Sequence, residues 1–303
     1  MNLIKPKALQ KPSTIAFLSV AGNIEDINKL SRAKVYFEEA GYKVITSETT
    51  FMPNNYLSDT DEARLNALHD FFANDEIDAI IATRGGYGSI RIINQIDYDI
   101  IRRHPKIFIG YSDITALLLM IYKKTGLTTF HGPMAYSDFS DNINQFTQDM
   151  FFTTLENNIE TLSFTKNKLI YKAGIVEGIL WGGNLTTIAS MCGVDFIPDE
   201  KFILFIEEIN EPVYKIDRAL TQLLNINKFK NNLSGIILGD FSCIDNSDYF
   251  NAYYREIGNK LDIPIVSGLI TGHCNEKLTI PIGVNCELDT SKNYILLKDD
   301  YIS

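Results

Sequence analysis

Three short motifs hold the side chains best suited to nucleophilic chemistry. Ser112 stands in "GYSD", residues 110–113, where a strand-like apolar run gives way to a helical pattern. His273 stands in "GHCN", just past the apolar run "IPIVSG" and framed by Gly268 and Gly272. Glu207 and Glu208 close the apolar run "ILFIEE". A serine hydroxyl attacks a carbonyl only when a base removes its proton, and an imidazole base needs a third group to orient it. Ser, Glu, His is a chain order that such triads use.

The surroundings of Ser112 support that chemistry. A side chain at a sharp strand-to-helix turn is pushed away from the sheet. The neighbouring N–H groups lie at a helix N-terminus, unsatisfied and partly positive, and can stabilise an oxyanion. The usual nucleophile elbow is G-x-S-x-G. Here the run is Gly110-Tyr111-Ser112-Asp113-Ile114, without the second glycine, and a serine that merely caps a helix fits "SDIT" as well. The other histidines differ in setting. His69 is on the polar side of a helix, His104 is in a basic turn, and His131 follows a strand in "TFHGPM". Strand alternation sends Glu207 and Glu208 to opposite faces, so one can face a cleft and the other solvent. A glycine loop, "ATRGGYGSIR", follows another apolar strand. It lacks the lysine of a phosphate loop and the spacing of a dinucleotide fingerprint. Its glycines can instead let backbone N–H groups approach a reacting carbonyl. Cys192, Cys243, Cys274 and Cys286 form no C-x-x-C pair and read as thiols of a reducing compartment. Cys274 stands out because it follows His273. No spacing suggests a metal site, and no cofactor is expected.

These residues need a scaffold, and the first half of the chain alternates strand and helix. Residues 14–22, "YKVITSE", "IDAIIATRGG", 106–110 and "LTTFHG" read as strands. "EDINKLSRAKVYFEEAG" and "DTDEARLNALHDFFAND" read as helices, the second with cap oxygens at Asp59, Thr60 and Asp61. This pattern predicts an α/β fold with a parallel sheet, helices on both faces and ligands at the carboxyl ends of the strands. Residues 158–172, polar and broken, are taken as a linker between an N-terminal domain over 1–157 and a C-terminal domain over 173–303. The second part has strands in "FILFIEEI", "LSGIILGDFS", "IPIVSG" and "KLTIPIGVNCELDTSKNYILLK", and helices in "YKIDRALTQLLN" and "DYFNAYYREIGNKL".

The chain has 303 residues, 45% of them hydrophobic, which suffices for two domains. A net charge of −10 argues against binding nucleic acid or an anionic membrane. No run of about 18 apolar residues occurs. Lys5, Lys7 and Lys11 before "TIAFLSVAG" mimic a short signal peptide, but helix-start chemistry follows at once, so the run reads as the first strand of a cytoplasmic protein.

Six stretches in order, "TRGGYGSIRI", "FIGYSDITALL", "TFHGPM", "LWGGNLTTI", "LFIEEINEPVYKIDR" and "GLITGHCNEKLTIPIG", resemble the LD-carboxypeptidases, serine peptidases of the S66 type. The resemblance implies a flavodoxin- or Rossmann-like N-terminal domain, a smaller β-rich α/β C-terminal domain and a homodimer. It also implies a cytoplasmic hydrolase of peptidoglycan recycling that removes the terminal D-alanine from a murein tetrapeptide. By that resemblance Ser112 is the nucleophile, His273 the base, and Glu207 the orienting acid in preference to Glu208. The N–H groups of Gly86 and Asp113 are the oxyanion donors, and His131, Trp181 and Asn184 line the substrate cleft. Related proteins hydrolyse peptidyl-nucleotide antibiotics of the microcin C type, which is the alternative activity. A two-lobed protein that binds a peptide or sugar without catalysis is the other class.

Overall fold

The computed structural model describes residues 2–141 and 143–303. Its strands are β1 (Thr14–Leu18), β2 (Lys43–Thr46), β3 (Ala79–Ala82), β4 (Ile107–Gly110), β5 (Thr129–His131), β6 (Thr161–Ser163), β7 (Ile170–Lys172), β8 (Ile175–Asn184), β9 (Phe202–Ile209), β10 (Leu233–Ser242), β11 (Ile265–Ser267), β12 (Ile280–Ile282), β13 (Asn285–Asp289) and β14 (Tyr294–Leu297). Two sheets form. The first has the order β12-β5-β4-β3-β1-β2, and the second β6-β14-β13-β8-β9-β10-β11-β7.

In the first sheet β2, β1, β3, β4 and β5 are parallel, in the flavodoxin-like order 2-1-3-4-5. β3 and β4 are buried at every residue, as the continuous apolar runs "AIIA" and "IFIG" require of strands covered on both faces. The helix Ile27–Glu39 begins at Asp26, whose side chain accepts from the Asn28 N–H. The helix Asp61–Ala73 begins at Thr60, one of the cap oxygens expected from the sequence. The second sheet is parallel across β8, β9, β10 and β11, with antiparallel strands on both sides.

Two features depart from the sequence boundaries. The supposed linker over 158–172 contains β6 and β7, which lie at opposite edges of the second sheet. Its polar composition reflects edge strands with one buried residue each, Leu162 and Tyr171. The first sheet also takes a strand from far along the chain: β12 pairs antiparallel with β5, His131 opposite Ile280. The segment 268–279 therefore leaves the second sheet at β11 and enters the first at β12.

The helix Thr115–Thr125 locks the two sheets together. Every residue in it except Lys124 is buried, as expected of a helix apolar all round. It packs against β5 and β8. The close approach depends on Gly183, at φ +147°, where an added Cβ would stand 2.7 Å from Thr115 Oγ1. The Thr115 hydroxyl accepts from the Asn184 N–H at 3.2 Å. The "WGGN" motif is thus a packing device between the strand β8 and the helix that follows Ser112.

Candidate active site

Ser112 sits on the turn between β4 and a helical turn, Ser112–Ile114, that runs into the helix Thr115–Thr125. Its φ is +61°, the left-handed region that non-glycine residues rarely occupy. Strain of this kind persists only where the surroundings impose it, and here they are identifiable. The Asp113 carboxylate accepts from the Ser89 N–H at 2.9 Å, tying the turn to the loop after β3. Burial pushes the Asp113 carboxyl above its ordinary range, against the opposing pull of that Ser89 hydrogen bond. Gly110 lies directly below the turn, where a Cβ would be 2.8 Å from Ile114 Cγ2.

The glycine loop meets the serine at Gly85. A Cβ built there would lie 3.0 Å from Ser112 Cβ, 3.1 Å from Ser112 Oγ and 3.2 Å from the Asp113 N. The Gly85 carbonyl accepts from the Gly22 N–H at 3.0 Å, so the loop after β1 supports it. Arg64, fully buried, braces the far side: Nη1 donates to the carbonyls of Gly88, at 3.0 Å, and Val20, and Nη2 pairs with Asp61 at 2.6 Å. In the sequence Arg64 is marked only by its place on the helix stripe that also buries Leu68 and Phe72.

His273 arrives on the 268–279 segment, after Gly272 at φ +120°. Its Nδ1 lies 2.8 Å from Glu207 Oε2. Glu207 lies near the end of β9 and is fully buried, while the His273 side chain is 20% exposed. A Cβ on Gly272 would fall 2.9 Å from Glu207 Cβ, so only glycine lets the two side chains meet. Burial raises the Glu207 pKa above the ordinary carboxylate value. For His273, burial is the largest influence and opposes the imidazolium, but the hydrogen bond and the charge of Glu207 together outweigh it. The pKa of His273 is raised above 6.5.

Glu208 differs from expectation. It does not face solvent but is 5% exposed, under the helix Leu185–Ser190. Its carboxylate accepts from Asn184 Nδ2 and the Ile209 N–H, both at 3.0 Å, and from the Thr186 N–H at 2.9 Å. Alternation did send the two glutamates to opposite faces, but the second face is covered too.

Three residues expected in the cleft lie elsewhere. Trp181 is fully buried, with its ring 5.0 Å from Phe202 and 5.8 Å from Phe196. Asn184 caps the helix Leu185–Ser190, accepting from the Thr187 N–H at 3.0 Å. His131 is 1% exposed beneath Tyr111 and Phe205. Burial, with smaller contributions from the charges of His273 and Lys277, lowers its pKa to about 3, so it is neutral. All three support the site from behind. Cys274 lines the cavity beside His273, but its thiol is not free to react. Its thiol donates to the Glu276 carbonyl, and burial pushes it up to about 11.

The open space beside His273 is a polar cavity of about 560 Å³, lined by Tyr111, Asp138, Thr147, Asn275 and Lys277 among others. The Tyr111 and His273 rings meet edge-on at 5.1 Å. Lys277 Nζ is 4.7 Å from the centre of the Tyr111 ring and forms an ion pair with Asp138. Tyr111 of the elbow and His273 thus border one polar cavity, with Glu207 buried behind the imidazole, while the glycine loop meets the elbow at Gly85.

Comparison with known proteins agrees with this architecture. The LD-carboxypeptidase N-terminal domain matches residues 15–132, and the LD-carboxypeptidase C-terminal domain matches 177–288. A probable murein peptide carboxypeptidase of Bacillus subtilis (strain 168) is 34% identical, over 97% of this chain and 94% of its own length. The microcin C7 self-immunity protein MccF of Escherichia coli is 30% identical, over 96% of this chain and 94% of its own. Among solved structures, MccF in complex with glutamyl sulfamoyl guanosine superposes with a TM-score of 0.90 at 28% identity, covering 99% of both chains. A muramoyltetrapeptide carboxypeptidase from Oxalobacter formigenes gives 0.86 at 32%, covering 96% of this chain and all of that one. With both family domains matched in order and a relative alike over nearly its whole length, the chain belongs to the LD-carboxypeptidase family, peptidase S66.

Proposed function

We propose that the protein is a serine-type LD-carboxypeptidase that releases the terminal D-alanine from a murein tetrapeptide in peptidoglycan recycling. The observation that carries this reading is the 2.8 Å contact between His273 Nδ1 and the buried Glu207. It fixes the imidazole with Nε2 as its free nitrogen, the arrangement a serine nucleophile needs.

Ser112 Oγ attacks the carbonyl of the L-to-D amide while His273 Nε2 takes its proton. The oxyanion forms against the N–H groups of Gly86 and Asp113, the latter nitrogen 3.2 Å from where a Cβ on Gly85 would stand. As the C–N bond breaks, the imidazolium gives the proton to the leaving amine of D-alanine. Water, activated by the same imidazole, then hydrolyses the acyl-enzyme and restores Ser112. Each oxyanion donor is worth on the order of 100- to 1000-fold in rate.

The test is mass spectrometry of a defined murein tetrapeptide incubated with wild type and with Ser112→Ala. Wild type is expected to remove one D-alanine and the variant to remain at background. Equal release by both would take Ser112 out of the mechanism. Binding without turnover by either would return the non-catalytic alternative. A second reading has its own support in the 0.90 TM-score to MccF. On that reading the enzyme cleaves an acidic aminoacyl-sulfamoyl nucleoside and leaves the tetrapeptide intact.

A further inference from the structure

A carboxypeptidase must recognise a free terminal carboxylate, and that group lies only three bonds from the carbonyl carbon that the serine attacks. The residue that binds it must flank the nucleophile and present positive charge that no acid already neutralises. Three cations are built into this part of the molecule. Lys277 is 5% exposed and paired with Asp138. Arg64 is fully buried and paired with Asp61. Arg84 is different. It immediately precedes Gly85, the residue against Ser112 Oγ, and it is half-buried.

Among the described residues Arg84 has no carboxylate partner. Its one hydrogen bond runs from Nη1 to the Asn23 carbonyl at 2.9 Å. That bond and the Tyr136 ring, 6.0 Å from Cζ, hold the guanidinium in place. Its Nη2 would be 3.9 Å from a Cβ on Gly86, and its Nε 3.6 Å from one on Gly22. The fork therefore lies along the glycine loop itself, with Nε and Nη2 left as donors. A half-buried guanidinium held by one neutral carbonyl, with two donors to spare, suits bidentate capture of a carboxylate.

We propose that Arg84 binds the free carboxylate of the substrate's C-terminal D-alanine and so restricts the enzyme to chain ends. The inference rests on the carboxypeptidase reading and deepens it. The glycine loop then has two tasks in consecutive residues: Arg84 grips the leaving group, and Gly85 and Gly86 let the backbone approach the oxyanion.

The experiment compares the tetrapeptide with its C-terminal carboxamide, in wild type, Arg84→Gln and Arg84→Lys. A charge-assisted hydrogen bond to a carboxylate corresponds to about 10- to 150-fold in kcat/KM. Wild type is expected to prefer the free acid by that order. Arg84→Gln collapses the acid-to-amide ratio toward one, and Arg84→Lys keeps part of it. A merely structural arginine would lower both substrates alike and leave the ratio at the wild-type value, which would overturn the proposal. Product inhibition of wild type needs no substitution: D-alanine is expected to inhibit more strongly than D-alaninamide, and equal inhibition counts against Arg84. Wild type that cleaves a peptidyl-nucleotide but releases no D-alanine would instead overturn the underlying carboxypeptidase reading, and this inference with it.

Discussion

Substitution of Gly85 by alanine tests the site's geometry most directly. The added methyl would lie 3.0 Å from Ser112 Cβ, 3.1 Å from Ser112 Oγ and 3.2 Å from the Asp113 N. Ordinary contacts between such atoms are about 3.5–4.0 Å, so the neighbours must yield by several tenths of an ångström. The steric cost is modest, about 1–3 kcal/mol for an overpacked methyl. Gly85 is also not among the residues with positive φ, so alanine meets no backbone strain. The catalytic cost is larger. An attacked carbonyl must place its carbon against Ser112 Oγ and its oxygen within about 3 Å of the Asp113 N–H, and the methyl fills that space. Gly85→Ala is therefore expected to lower kcat by roughly 100- to 1000-fold, the value of one oxyanion donor, in a protein that stays folded. Steady-state release of D-alanine gives the rate, and circular dichroism with thermal melting confirms the fold. A folded Gly85→Ala enzyme with activity within about threefold of wild type would refute the placement of the oxyanion between Gly86 and Asp113, beside Gly85.

Other expectations follow from the same geometry. His273 must be neutral to accept the serine proton, and its pKa is raised above 6.5. The pH profile of kcat/KM should therefore lose activity as pH falls through a value above 6.5. Glu207→Gln removes the hydrogen bond and charge that raise it; kcat should drop by about 10³- to 10⁴-fold, and the acid limb should move to lower pH. An unmoved limb would show that Glu207 does not set the imidazole. Cys274→Ser should retain near-normal turnover and wild type should resist iodoacetamide, because a thiol pushed up to about 11 stays protonated at neutral pH; inactivation by alkylation would contradict this. Trp181→Ala should cost about 3–5 kcal/mol of stability in a denaturant melt, since the indole is core; a stable variant with only a raised KM would return Trp181 to the cleft.

Much of the fold was present in local pattern. The buried runs at β3, β4 and β9, and the helices opening at Asp26 and Thr60, were readable because periodicity and caps act within a few residues. The positions of Ser112, Glu207 and His273 were likewise readable, since each stands near the end of an apolar strand or in a loop just past one. The roles proposed for them come from the resemblance to a known family.

What the sequence could not decide were matters of distance between remote segments. The 268–279 segment carries His273 to Glu207 only because it crosses from β11 in one sheet to β12 in the other. The long-range pairing of β12 with β5 in the first sheet leaves no periodic mark. Trp181, Asn184 and His131 fit a cleft by residue type, yet whether a side chain is covered depends on what packs over it. Here the helix Thr115–Thr125 and the aromatic cluster around Phe202 close that space. Glu207 differs from Glu208 for the same reason: adjacent residues on one strand have opposite faces, and only the assembled sheets determine that one meets an imidazole and the other a helix N-terminus.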